Sequence, residues 1–179
     1  MIQIKYKSVV KPNNDISVDG QPRPNEDAIK VGKSYVSLSD GAGGVGVFAS
    51  DWAHYLVNSL PESPIKNINS LNEWVDSIWE PFYEKKLSRA LQDPFLLQKF
   101  ESEGSLATLC AFWFDNNFLD FMTYGDSMVF FYDQKNDSLI TQSWFHDLYR
   151  MRQNPHLINW KDESINSGSF CYGRWNFVN

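Results

Sequence analysis

The hydrophobic period of this chain changes twice, and those two changes restrict the fold more than any other feature. Before Asp40 apolar and polar residues alternate: Ile2, Ile4, Tyr6 and Val10 share one face, and Gln3, Lys5 and Lys7 the other, which is strand spacing. A loop with Pro12, Pro22 and Pro24 follows, and residues 28–31 and 35–39 then read as a hairpin about Gly32-Lys33. After residue 48 the spacing becomes helical. Phe48, Trp52, Tyr55 and Leu56 mark one helix that stops before Pro61. Ser70-Leu71-Asn72-Glu73 has the capping-box pattern, and Leu71, Trp74, Val75, Ile78 and Phe82 continue one face behind it. Pro81 is expected to kink or split that helix, with a further helix over about 84–100. From residue 106 strand texture returns. Residues 106–114 read as one buried strand, Asp115-Asn116-Asn117 as a turn, 118–124 as a second strand, and 128–133 with 139–141 as another hairpin.

Strands, then helices, then strands again predict an α+β fold of antiparallel sheets covered by helices, not alternating βαβ units. The sequence shows no repeat, no low-complexity stretch and no internal linker, so residues 1–179 are expected to form a single domain. A hydrophobic content of 42% and an aromatic content of 16% suit a sizeable core. The net charge is −6 and no basic stripe is present, which disfavours nucleic acid as a partner. No apolar run reaches membrane-spanning length and residues 1–11 lack a signal-peptide pattern, so the expectation is a cytoplasmic protein without a membrane partner. Cys110 and Cys171 make no disulfide framework, and Cys110 reads as a buried thiol in an apolar strand. The three histidines match no zinc spacing.

Residues 37–44, Ser-Leu-Ser-Asp-Gly-Ala-Gly-Gly, deliver a carboxylate from a strand end into a glycine-rich loop. Gly41 to Gly46 formally satisfy G-x-G-x-x-G, the dinucleotide pattern. Asp40 argues against that reading because it would repel a pyrophosphate, and the second parallel strand is missing. The P-loop reading fails for want of a Lys-Ser or Lys-Thr pair. Two readings stay open for Asp40: a cap for the helix that follows, or a ligand for a hard cation. In the second, the carbonyl of Gly41 can turn inward unobstructed. Antiparallel pairing would set Glu26 and Asp27 beside Asp40. Tyr124-Gly125-Asp126-Ser127 places another aspartate after a glycine at a strand end. His146-Asp147 has the look of an HD phosphohydrolase pair without its partner ligands.

Residues 23–28 (Arg-Pro-Asn-Glu-Asp-Ala), 37–44, 104–114 (Gly-Ser-Leu-Ala-Thr-Leu-Cys-Ala-Phe-Trp-Phe) and 124–133 (Tyr-Gly-Asp-Ser-Met-Val-Phe-Phe-Tyr-Asp) occur in one order. In that order the chain resembles the metal-dependent PP2C-type (PPM) Ser/Thr protein phosphatases over about residues 1–140. The resemblance implies a four-layer αββα sandwich of two antiparallel sheets flanked by helices. It implies two Mg²⁺ or Mn²⁺ ions, with a third held more weakly. Asp40 would bridge the two ions, Gly41 would offer its carbonyl, and Glu26 would bind one ion directly or through water. Asp27 would support them from behind, Asp126 would serve the third ion, and Arg23 would clamp phosphate. The implied activity is hydrolysis of phosphoserine and phosphothreonine in proteins by a hydroxide held between the ions.

The chain departs from the family pattern in two places. Arg23 lies three residues before Glu26, where four is common. A second Ser-Asp-Gly motif and an Asp-Asn motif, each contributing an aspartate, are absent. Two divalent ions would meet only Glu26 and Asp40, with Asp126 a third carboxylate, so weak metal affinity is expected. Residues 142–179 carry Pro155 and Gly168 and show no two strands ending in aspartates. The sheets are therefore expected to keep open edges, covered by a second copy of the chain or by a further C-terminal segment. The alternative function is a pseudophosphatase or binding module that keeps the fold without turnover.

Overall fold

The structure, a computed structural model, describes residues 5, 7, 25–142, 156–162, 164, 165 and 167–176. Most of the strand expected over residues 2–10, the loop bearing Arg23 and the His146-Asp147 pair lie outside the described residues.

The first hairpin forms as its alternation requires. β1 (Asp27–Val31) and β2 (Tyr35–Asp40) pair antiparallel, with Asp27 opposite Asp40 and Val31 opposite Val36. Three helices follow: α1 (Ala49–Ser59), α2 (Ile68–Ala90) and α3 (Pro94–Glu103). The chain then enters β3 (Leu106–Ala107), β4 (Leu109–Phe114), β5 (Phe118–Tyr124), β6 (Val129–Asp133) and β7 (Ser138–Gln142). It ends in β8 (Ile158–Asn159) and β9 (Phe170–Asn176). β1-β2-β4-β5-β9 make a five-stranded antiparallel sheet, and β3-β8 and β6-β7 are two-stranded.

Alternation along β4 and β5 sorts the core into two layers. Leu109, Ala111, Trp113, Met122 and Tyr124 face the helices and join Trp52, Leu56, Leu71, Phe82 and Phe100. Cys110, Phe112 and Phe121 face the other way, onto Val129 and Phe131 of the β6–β7 hairpin. Each large apolar side chain buried this way contributes about 1.5–3 kcal/mol relative to exposure. The fold is thus α+β, with helices on one face of an antiparallel sheet and strands on the other. The described residues build three of the four layers expected.

Four local expectations change. Pro81 does not split α2, whose 23 residues run through it. Pro81 and Ser77 are both exposed, so the Ser77 carbonyl that loses its helical donor can turn to water, while Leu71, Trp74, Val75 and Phe82 hold the buried face. α2 begins earlier than its capping box suggested: Asn67 is the cap, accepting from the Ser70 N–H at 2.9 Å. The last helix starts at Pro94, capped by Asp93, which accepts from the N–H groups of Phe95 and Leu96. The strand expected over 106–114 breaks at Thr108. There the Thr108 N–H donates to the Asp40 carbonyl at 2.9 Å, and the hydroxyl accepts from the Asp40 N–H at 3.0 Å. The strand changes partner at that point, from β8 to β2.

Residues 142–179 also hold more strand than their texture suggested. β9 pairs with β5 over seven residues and covers that edge of the sheet. Gly173 lies opposite Phe121, whose ring occupies the space a Cβ would need.

Candidate active site

Asp40 is the last residue of β2, and everything near it follows from the β1–β2 register. Pairing with Asp27 puts two carboxyl side chains on the same face of the hairpin end, where they hydrogen-bond each other. The Gly41 N–H donates to the Glu26 carbonyl at 3.1 Å, which holds the start of β1 against the loop. The Glu26 carboxylate turns over the loop and accepts from the Gly43 N–H at 3.0 Å. A Cβ at position 43 would lie 1.9 Å from that carboxylate, so glycine is required for this approach. At Gly41 a Cβ would meet the Ala49 backbone at 2.6 Å.

The capping reading of Asp40 does not hold. α1 starts at Ala49, and its cap residue is Phe48, which makes no side-chain capping bond. Phe48 takes the left-handed conformation, at φ 53°. Its ring packs edge-on to Phe100 at 5.4 Å, with Lys86 and Arg89 over its face. Contacts with α2 and α3, not Asp40, therefore end the loop.

A cleft of about 620 Å³ opens beside the loop, lined by Glu26, Asp40, Gly41, Asp126, His156 and Asp162 among others. Asp126 arrives from the β5–β6 turn through Gly125, at φ 91°, which sits against Thr108. Asp27 faces a smaller cavity of about 230 Å³ behind Asp40, with Lys7 and Ser127. Although Asp40 reaches solvent, its carboxyl is pushed up to about 6. Burial is the largest cause, followed by the hydrogen bond to Asp27 and repulsion from Asp27, Asp126 and Glu26. Among the described residues no ion pair reaches these four carboxylates.

Of the residues singled out from the sequence, Glu26, Asp40, Gly41 and Asp126 thus share one cleft, and Asp27 touches Asp40 from behind. Arg23 lies outside the described residues. The Gly41 carbonyl accepts from the Gly43 N–H at 3.2 Å and keeps a second lone pair. Among the described residues no three Asp, Glu, His or Cys side chains converge closely enough to hold an ion as they stand. Glu26 is turned to Gly43, and Asp27 and Asp40 to each other. The charge balance nevertheless fits a cation, because burial and the surrounding carboxylates hold the Asp40 proton and no ion pair among the described residues offsets them.

Thr108 and His156 were not anticipated as parts of this site. Thr108 left no mark beyond its place in an apolar strand. The segment bearing His156 and Asp162 has no motif and is placed by distant contacts. The Trp52 indole N–H donates to the Ile158 carbonyl at 3.0 Å, and the Asn159 amide to the Glu103 carbonyl at 2.8 Å.

No protein-family model matches the chain, and no curated protein matches it. Solved structures do. A bacterial serine phosphatase matches with a TM-score of 0.57 at 13% identity, over 87% of this chain and 68% of that one. PppA, a regulatory component of T6SS in Pseudomonas aeruginosa, matches with a TM-score of 0.60 at 15% identity, over 88% of this chain and 67% of its own. The serine/threonine phosphatase Stp1 from Staphylococcus aureus matches with a TM-score of 0.56 at 14% identity, over 99% and 76%. The fold is therefore the PP2C-type phosphatase fold that the four motifs led us to expect. The chain spans roughly two thirds to three quarters of the length of these structures.

Proposed function

We propose that this chain is a metal-dependent phosphatase acting on phosphoserine and phosphothreonine in proteins. The observation that carries the reading is the meeting of Glu26, Asp40, Gly41 and Asp126 in one cleft, at the end of a hairpin, within a PP2C-type fold. Asp40 and Glu26, with the Gly41 carbonyl, would hold two Mg²⁺ or Mn²⁺ ions, and Asp126 a third. Bound ions would supply an activated water and neutralise phosphoryl charge. Asp27 would keep Asp40 oriented through their shared hydrogen bond. The Gly43 N–H would fix the Glu26 carboxylate on the loop side of the cleft. Arg23 would clamp the phosphoryl oxygens through two parallel hydrogen bonds.

The test is hydrolysis of p-nitrophenyl phosphate with Mn²⁺ and with a chelator, beside calorimetric titration of Mn²⁺. Mn²⁺-dependent turnover together with saturable binding is expected. Turnover that survives exhaustive chelation would sink the reading. The second reading, a fold that binds without turnover, is favoured by the lack of three converging metal-ligating side chains among the described residues. Mn²⁺ binding without hydrolysis would select it.

A further inference from the structure

Asp162 lines a second groove as well as the cleft. This groove, of about 500 Å³, runs between α2, the end of α3 and the turn after β8. Its walls are aromatic. Trp79 and Trp160 stack with centroids 6.2 Å apart and planes 11° apart, and the Tyr83 ring lies 5.0 Å from Trp160. Three carboxylates, Asp76, Glu101 and Asp162, stand around these rings. Among the described residues the one cation in the lining is Lys161, whose ammonium is held to the rim by donating to the Glu101 and Ser102 carbonyls at 2.5 and 3.2 Å. Trp160 is 8% exposed, and its buried indole N–H has no hydrogen-bond partner among the described residues. The phenol of Tyr83 is fixed by donating to Glu101 at 2.8 Å, so this ring is held in place before anything binds.

Aromatic faces ringed by carboxylates suit a guanidinium or ammonium. The rings attract its charge through their negative faces, and the carboxylates accept its hydrogen bonds. Because Asp162 belongs to both walls, an extended chain whose phosphoryl group sits in the cleft would pass directly into the groove. We propose that the Trp79–Tyr83–Trp160 groove is a specificity subsite for an arginine or lysine close to the phosphorylated residue of the substrate. The inference rests on the phosphatase reading for its substrate and deepens it: the preferred class is a phosphoprotein segment with a basic neighbour.

Short phosphoserine peptides test this, with one arginine moved in turn through each flanking position and glutamine as the control at the same place. At one position or more, kcat/KM for the arginine peptide should exceed the glutamine peptide by about tenfold, the usual worth of a partly desolvated cation on aromatic rings. In the double variant Asp76→Asn with Glu101→Gln, and separately in Trp79→Leu, that ratio should fall towards one. A ratio near one at every position in the wild type, with p-nitrophenyl phosphate still hydrolysed, overturns the subsite and leaves the phosphatase reading standing. If p-nitrophenyl phosphate is not hydrolysed, the phosphatase reading fails, and tryptophan fluorescence decides the groove alone. An unphosphorylated arginine peptide should then give a saturable change that the glutamine peptide does not. Equal responses to both peptides, or none to either, refute the groove.

Discussion

Asp40 and Asp120 are the same residue type on the same sheet, and their surroundings are opposite. Asp120 lies within β5 and is 5% exposed. Arg174, its partner across the β5–β9 pair, donates two hydrogen bonds at 2.8 Å, and the Tyr172 hydroxyl donates a third. The Arg174 bonds hold its carboxyl below the ordinary range. Asp40 has carboxylates where Asp120 has a guanidinium, and its carboxyl is pushed up to about 6. A charge that the chain balances with its own residues serves the fold. A charge crowded by its own kind and left facing a cleft is the one that the proposed function gives to a ligand brought from outside.

Exchanging each carboxylate for an amide should separate the two roles. Asp40→Asn is expected to lower Mn²⁺-dependent hydrolysis by at least about 100-fold, since even residues that only support a metal ligand cost 10–100-fold. Measured with a chelator present, its unfolding midpoint should stay level or rise, because repulsion is removed. Asp120→Asn should do the reverse. It keeps activity but loses charged hydrogen bonds in a nearly buried position, about 2 kcal/mol after allowing for the half-exposed guanidinium. That corresponds to a drop of roughly 6 °C in the thermal midpoint. If Asp120→Asn proved inactive while remaining folded, the division between the two sites would collapse.

The two regions were not equally legible in the sequence. The Asp40 end was readable because its elements are local: a two-strand hairpin fixes Asp27 opposite Asp40, and period-two alternation fixes which face they share. Asp126 was readable through a glycine that lets the chain turn. β9 was missed because its pairing with β5 joins residues roughly fifty positions apart, from Tyr124 with Phe170 to Phe118 with Asn176. Its pattern is also blurred by Gly173, which leaves room for Phe121. One signal for it did exist. An aspartate inside an apolar strand needs a cation beside it, and Arg174 supplied one. The wall of the cleft at His156 and Asp162 carried no such sign, since hydrogen bonds from Trp52 and Asn159 place it and neither residue announces its partner. The helix boundaries went astray because capping residues were weighed less than the Ser70–Glu73 pattern. Asn67 and the Asp93-Pro94 pair hold the true starts.

Gly43→Ala probes the same contrast from the loop side. A methyl group there would collide with the Glu26 carboxylate, whose flexible side chain can swing away, so the fold should survive. The bond from the Gly43 N–H to Glu26 would be lost. Mn²⁺ affinity is expected to weaken by about tenfold, the low end for a group that orients a ligand. Calorimetric titration checks it, with circular dichroism to confirm an unchanged fold. Unaltered affinity would mean that Glu26 holds no ion.

The smallest effect expected is on stability against pH, and it carries opposite signs for the two aspartates. In the chelated protein Asp40 gives up its proton near 6 when folded and near the ordinary 3.8 when unfolded. Between those values the folded state holds a proton that the unfolded state has lost. Stability is therefore full below about pH 4, falls as pH rises through the window, and levels off above about pH 6. Because Asp40 reaches solvent, the fall should be on the order of 1 kcal/mol. Asp120 works the other way: its folded carboxyl lies below 3.8, so its contribution is complete above about pH 4 and is lost as pH drops through the folded value. Urea midpoints at about pH 4.5 and about pH 7, with chelator, should differ in the wild type and in Asp120→Asn but coincide in Asp40→Asn. Mn²⁺ should restore the wild type at about pH 7, since a cation between the carboxylates removes the repulsion that raised the Asp40 carboxyl. A wild-type midpoint that rises from about pH 4.5 to about pH 7 without metal would show that the carboxylates are balanced from within, and that Asp40 is a second Asp120.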